Sequence, residues 1–190
     1  LSVVSLAVSL AVQSVLSNIA GGLVILVTKP FQLGDLVETA DGLGTVKEIS
    51  LTFTKLETPD GLWLMTPNSV LSSGKITNYT ALGRRRAEIR VGASYDAAVS
   101  DVRAACLDAA ARVPGVLPDP APIVYVDSYG ESSISYIVRV WCRSEDYTDV
   151  YYGLTEGLKA AFDEHGVEMP YNHLNIHILD QTEQKEKQTV

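Results

Sequence analysis

No charged residue occurs before Lys29, so something other than bulk water must cover much of the first 28 positions, and that requirement limits every fold open to the chain. Residues 1–28 are long enough to cross a bilayer core of about 30 Å as a helix, which takes roughly 20 residues. Yet the run SVVSLAVSLAVQSVLSNIAGGLVILVT places Ser2, Ser5, Ser9 and Gln13 at helical spacing. On a helical wheel these four form one stripe, with Leu6 and Leu10 beside it and Val4, Val8, Val12 and Val15 on a separate face. In a membrane, small residues let helices approach closely, and polar ones face a bundle interior or a water-filled cavity. On periodicity alone, a buried helix in a soluble core and a plain transmembrane segment with tolerated serines stay open as alternatives.

The run then weakens. Ser14, Ser17, Asn18, Gly21 and Gly22 are poor helix formers, glycine costing about 1 kcal/mol relative to alanine, and they predict a bend between Gln13 and Gly22. A bend near Ser14 leaves a first arm of about 13 residues, roughly 20 Å at helical rise. The second arm, 16–27, then lies closer to the membrane interface.

From Phe31 to Thr80 the pattern changes to short strands, at 36–37, 43–49, 51–56 and 62–65, separated by turn signals that include the hairpin pair Asp60-Gly61. This predicts a small β-barrel or sandwich with Val37, Val46, Ile49, Phe53, Leu62, Leu64 and Ile76 inside. Thr66-Pro67-Asn68-Ser69 reads as a strand-to-helix corner, with Asn68 or Ser69 capping a brief helix that Gly74 ends. The remainder reads β-α-β-β-α-β. Strands fall at 87–91, 123–127, 134–142 and 174–179; helices fall at 97–111, capped by Asp96, and about 148–165, stopped by Gly166. That order matches a ferredoxin-like α+β domain. Residues 181–190 form a charged tail with the composition of disorder.

A net charge of −8 argues against a protein whose main task is gripping nucleic acid, and the one basic cluster, Arg84-Arg85-Arg86, reads as a solvated or membrane-proximal linker. Cys106 and Cys142 are too far apart for a redox or zinc motif and fit a reduced cytosolic setting. His173 and His177 lie in an alternating, strand-like stretch, where four residues span about 13 Å, too far to share a zinc ion. Asp41-Gly42-Leu43-Gly44 lacks the helix and lysine of a phosphate loop. No nucleophile is accompanied by a base, so neither an enzyme, a metal site nor a cofactor is expected.

The serial arrangement of a pore-like helix, KPFQLGDLVE, GTVKEISLTFTKLETPDG, LWLMTPNSVLSSGKITNY, VGASYD and GVEMPY resembles the small-conductance mechanosensitive channel (MscS) family of prokaryotic membranes, over residues 2 to 180. The resemblance implies an α+β membrane protein. Its parts would be a transmembrane pore helix over residues 1–28, an Sm-like β domain over 31–80, a ferredoxin-like α/β cage domain over 84–170 and an intersubunit β-barrel strand over 174–179. It implies a homoheptamer in the prokaryotic inner membrane, cytoplasmic from about residue 31 onward, that opens under bilayer tension and releases ions and small osmolytes on hypo-osmotic shock.

Residue by residue, the family's two rings of gate leucines fall on Leu6 and Leu10, where an apolar constriction can block ions by dewetting. Glycines common in the family's pore helix are serines here, at Ser2, Ser5 and Ser9, and the usual kink glycine aligns with Ser14. Gln13 and Gly22 are kept, and the kink can shift to Gly21-Gly22. The β-domain motif falls on Pro67 and Asn68. Partners expected are further copies of the chain, membrane lipids and permeating ions and osmolytes, with no nucleic acid.

Leu1 is not a methionine and no basic flank precedes the apolar run, as a signal peptide would need. The chain is therefore expected to be the C-terminal part of a longer protein whose preceding helices sense tension. A soluble homo-oligomeric scaffold and an Sm-like binding module are the readings from other classes.

Overall fold

A computed structural model describes residues 2–174 and 176; for residues 2, 4–6, 8, 10 and 11 it describes the backbone alone. The chain divides into two compact units, one of residues up to Ala87 together with Trp141–Asp149, the other of Glu88–Val140 and the chain from Val150 onward.

The first unit begins with α1 (Ser2–Thr28), one α-helix of 27 residues that continues without a break through residues 13–22. Among the described residues no helix is long and apolar enough to cross a membrane. The helix stops where proline forbids it to continue. Lys29, directly before Pro30, takes a left-handed φ of 47° while its N–H still donates to the Ile25 carbonyl at 2.9 Å. Phe31, buried, then turns the chain into the β domain.

That domain is one antiparallel sheet in the order β4-β3-β2-β1-β5, built from β1 (Leu36–Thr39), β2 (Gly42–Ile49), β3 (Phe53–Glu57), β4 (Trp63–Pro67) and the two-residue β5 (Thr77–Asn78). Register is set by apolar pairs on the inner face, Val46 opposite Leu56 and Leu56 opposite Leu64. The core is Ile25, Phe31, Val37, Val46, Leu56 and Leu71, with Ile49, Leu64 and Ile76 packed against it. Two of the expected core residues are displaced. β3 turns Thr54 and Leu56 inward, so Phe53 is only half-buried, and Leu62 sits in the turn before β4, 61% exposed.

Asp35 closes the bottom of this unit. Its carboxylate accepts hydrogen bonds from the Gln32 N–H, Asn78 Nδ2 and Thr80 Oγ1 at 2.8, 2.8 and 2.9 Å, joining the chain after α1 to the strand that ends the domain.

In the second sheet, β6 (Arg84–Ala93), β8 (Ile134–Arg143) and β7 (Ile123–Tyr129) lie side by side in that order, so the first and third strands of the module are neighbours and the second is at the edge; β6 up to Ala87 and β8 from Trp141 belong to the first unit. This is the arrangement of a split β-α-β unit. α3 (Val99–Arg112) buries Val102, Ala105, Cys106, Ala109 and Ala110, and α4 (Tyr147–Glu164) buries Val150, Leu154, Leu158, Ala161 and Phe162, each the i, i+3/i+4 stripe of an amphipathic helix. At their ends Arg112 bonds both Asp108 and Glu164, and His165 Nε2 lies 3.1 Å from Asp108 Oδ2. Gly166, at φ 66°, ends α4: the Val167 N–H reaches the Phe162 carbonyl at 2.8 Å.

Three local expectations are corrected. Asp96 does not cap α3; the cap position is Ala98, and Ser94 organises the turn by accepting from the Asp96 and Ala97 N–H groups. Arg84-Arg85-Arg86 is no linker but the start of β6, because the alternating pattern of that strand begins three residues earlier than the apolar residues suggest. Leu174 and Ile176 lie outside any strand; 175 and 177–179, with the tail from 181, fall outside the described residues.

Burial raises the carboxyl pKa of Asp35, but the bonds from Asn78, Gln32 and Thr80 outweigh it and leave the pKa below its ordinary 3.8. A depressed folded pKa stabilises the fold above the unfolded value, and this contribution is lost as pH falls through the folded one. Asp35→Asn should therefore lower the thermal unfolding midpoint at neutral pH and flatten its fall below about pH 4, as read by circular dichroism across a pH series.

Candidate functional site

The face of α1 that meets the β domain repeats at i, i+3, i+4 and i+7: Asn18, Gly21, Gly22 and Ile25. Opposite it stands α2 (Asn68–Ser73), the short helix after β4. The two backbones nearly touch. A Cβ at Gly21 would stand 2.6 Å from the Asn68 carbonyl oxygen, and one at Gly22 would stand 2.4 Å from the Leu51 carbonyl oxygen and 2.7 Å from Asn68 Nδ2. Glycine is required here by space, since neither position has a positive φ.

Asn68 is fully buried and is not a helix cap. The cap position of α2 is Pro67, which has no side-chain donor or acceptor to offer. The Asn68 carboxamide instead stitches the strands together: Oδ1 accepts from Thr54 Oγ1 and Nδ2 donates to the Ser50 carbonyl, both at 2.8 Å, while its backbone N–H donates to the Thr52 carbonyl at 3.0 Å. Burial of a primary amide is tolerable because these bonds replace water.

The cap comes from the other helix. Asn18 Oδ1 accepts from the Ser69 N–H at 3.1 Å, satisfying one of the free amides at the start of α2 across 51 residues of sequence. Asn18 was read from sequence only as a weak helix former. Its position on the face of Gly21 and Gly22 was the available signal. Gly74 closes α2 in extended geometry, φ −87°, and its role is to let the chain pass the Val70 carbonyl, 2.8 Å from where a Cβ would sit.

The other expected site residues are not part of this contact. Ser9, Gln13 and Ser14 are exposed along α1; Ser9 and Gln13 with Leu16, Ser17 and Ala20 edge an open trough of about 490 Å³. The side chains of Ser2, Ser5, Leu6 and Leu10 lie outside the described residues. Among the described residues no cluster of three His, Cys, Asp or Glu side chains is placed to hold a metal. Cys106 and Cys142 are free and buried, and burial pushes the Cys106 thiol up to about 12.

A family profile described as "Mechanosensitive ion channel, beta-domain" matches residues 14–81, the span that contains both sides of the glycine contact, and "Mechanosensitive ion channel MscS, C-terminal" matches residues 87–169. A relative described as small-conductance mechanosensitive channel, from Helicobacter pylori, is 30% identical over 186 residues, 97% of this chain and 68% of that protein. The chain belongs to the MscS family. A second relative of the same description, from Edwardsiella ictaluri, is 33% identical over 91% of this chain, and the chain spans 60% of its length. The crystal structure of Helicobacter pylori MscS in a closed state superposes with a TM-score of 0.88 at 30% identity, covering 95% of this chain and 72% of that one. MscS is a channel family, not an enzyme family.

Replacing Asn68 by leucine leaves the Thr54 hydroxyl and the Ser50 carbonyl without their partner, at about 1–3 kcal/mol for each buried group. Gly22→Ala forces backbone apart, at about 1–3 kcal/mol for overpacking. Asn18→Ala loses a single cap bond, about 1 kcal/mol. Thermal unfolding of the purified protein should rank the three with Asn18→Ala mildest.

Proposed function

We propose that this chain supplies the pore and cytoplasmic part of a tension-gated mechanosensitive channel, a homoheptamer of the prokaryotic inner membrane that releases ions and small solutes on hypo-osmotic shock. In this reading α1 lines the pore, Leu6 and Leu10 form its apolar gate, Ser2, Ser5 and Ser9 pack neighbouring pore helices, and the protein from about residue 31 onward is cytoplasmic.

The observation that carries the reading is the division of α1 into two faces. Asn18, Gly21, Gly22 and Ile25 are fastened to the β domain. The other face leaves Leu16, Leu23 and Val27 bare, at 60%, 60% and 72% exposure. An apolar helix surface of that size needs lipid or further helices around it. Family membership supports lipid and neighbouring subunits as the cover.

The same contact supports a hinge at Gln13–Ser14 over one at Gly21-Gly22. Gly21 and Gly22 are hemmed in by the backbone of residues 51, 68 and 69, which favours bending upstream, at Gln13–Ser14, in this reading. A serine bonding back to its own helix can bend it there, though it is stiffer than glycine.

Excised-patch recording from membranes carrying the full-length parent protein tests this. Suction should elicit openings in the wild type, and Leu6→Ser and Leu10→Ser should each shift them to lower tension by wetting the constriction. Verified membrane insertion without pressure-dependent current, or purification of the parent protein in aqueous buffer without detergent, would remove channel gating as its purpose.

A further inference from the structure

Arg85 places its charge in a slot between two aromatic rings. Its guanidinium carbon lies 3.5 Å from the ring centre of Tyr147 and 4.5 Å from that of Tyr79. Arg84 stands over the Trp141 ring at 5.2 Å. The stack is anchored at its far end, where the Tyr79 hydroxyl donates to the Glu38 carboxylate of β1 at 2.5 Å. Backbone bonds frame it: the Ser144 N–H donates to the Gly83 carbonyl at 3.1 Å, and the Cys142 thiol points at the Arg85 carbonyl at 3.7 Å.

These residues belong to the first unit and sit close to the places where the chain leaves it. The chain passes out between Ala87 and Glu88 in β6, returns between Val140 and Trp141 in β8, and passes out again between Asp149 and Val150 in α4. Arg84 and Arg85 precede the first passage, Trp141 stands at the second and Tyr147 precedes the third. Along the chain, these passages are the covalent routes by which a displacement of α1 and the β domain reaches the second unit.

We propose that Arg85 is a positioning residue, a clamp that holds the Trp141–Asp149 segment to β1 and the end of β5, so that load from α1 is passed on through the three crossings instead of being absorbed by that segment working loose. Its consequence for gating rests on the channel reading; the clamp itself does not. The slot suits arginine in particular. A planar guanidinium stacks on two ring faces at once, whereas an ammonium of the same charge offers no plane. Tyr79, held by Glu38, is the fixed wall, and Tyr147, the first residue of α4, is the wall that the clamp retains.

The test is amide hydrogen exchange on the full-length protein in lipid nanodiscs, with pressure-activated currents recorded from the same variants. Arg85→Lys and Tyr147→Leu should each raise exchange in peptides covering residues 141–149 by about tenfold. The double variant should exchange no faster than either single one, because both remove the same stack. Tyr147→Phe, which keeps the ring, should stay near wild type, and β2 and β3 should be unaffected in all. In patches, the two disruptive variants should open at the wild-type tension but close sooner under sustained suction. Unchanged exchange in Arg85→Lys, or additive effects in the double variant, would overturn the clamp, and raised exchange with wild-type currents would overturn its part in passing load. If the wild type itself gives no pressure-activated current, the channel reading fails and the exchange comparison decides the clamp alone.

Discussion

Where α1 crosses α2, main chain lies against main chain with no side chain between, and the rest of the first unit is arranged to permit it. Two adjacent glycines remove the Cβ atoms that would otherwise stand 2.6 Å from the Asn68 carbonyl oxygen and 2.4 Å from that of Leu51. The approach brings α1 within reach of Asn68, whose buried carboxamide bonds Thr54 and Ser50 while its backbone N–H bonds Thr52. It also brings Asn18 to the start of α2, where a six-residue helix with proline at its cap position has no local means of satisfying its first amides. A helix that short is marginal by itself, and its stability comes from what it packs on. α2 and the lower half of α1 therefore exist as a pair.

That pairing makes the segment from Asn18 to Asp35 one rigid piece. Ile25 and Phe31 are core residues of the β domain although one lies on the helix and the other after it. Between them the left-handed Lys29 before Pro30 fixes the exit angle, and Asp35 ties the following turn to Asn78 and Thr80. Apolar burial and the bonds from Asn18 to Ser69 and from Asp35 to Asn78 and Thr80 act on the same eighteen residues. The two hinge positions considered from sequence are thereby separated by packing, which no propensity scale contains.

Much of this architecture was legible in the residues. Strand positions 36–37, 43–49 and 63–65, the Asp60-Gly61 turn, the amphipathic stripes of α3 and α4 and the stop at Gly166 all follow from local periodicity and turn chemistry, and all are present; the expected strand at 62–65 begins one residue later. The order of motifs identified the family. What sequence misassigned falls into two groups. Asn68, Ser69 and Asp96 were read as caps because capping is the commonest local use of their side chains, but Asn68 is turned inward by a partner eighteen residues away and Asp96 is displaced by Ser94. Arg84–Arg86 read as linker because arginine carries no β signal, and the rings that give the cluster its purpose lie at 79, 141 and 147. Phe53 and Leu62 were counted as core by hydrophobicity alone, while strand parity selected Leu56. Asn68, Ser69 and the arginines have partners distant in sequence, whereas Asp96 yields to its near neighbour Ser94, and Phe53 and Leu62 are decided by strand parity and by where β4 begins. The leucines proposed as a gate, Leu6 and Leu10, and Ser2 and Ser5 beside them are a different matter, since their side chains lie outside the described residues.

Serine in place of glycine along a pore-lining helix need not make the helix wet. This chain repeatedly satisfies hydroxyls on its own turns: Thr28 donates to the Val24 carbonyl at 2.8 Å, Ser73 to the Ser69 carbonyl at 2.7 Å and Thr155 to the Tyr151 carbonyl at 2.8 Å. A hydroxyl bonded back in this way offers little more polarity than a methyl group, so a serine stripe is compatible with close apolar packing and leaves the leucines beside it to set the wetting of a constriction. The cost falls on flexibility. Each serine restricts a turn that glycine would leave free, so a helix with serines at these positions is stiffer than one with glycines and, under the channel reading, bends where a hydroxyl bonds back to its own helix.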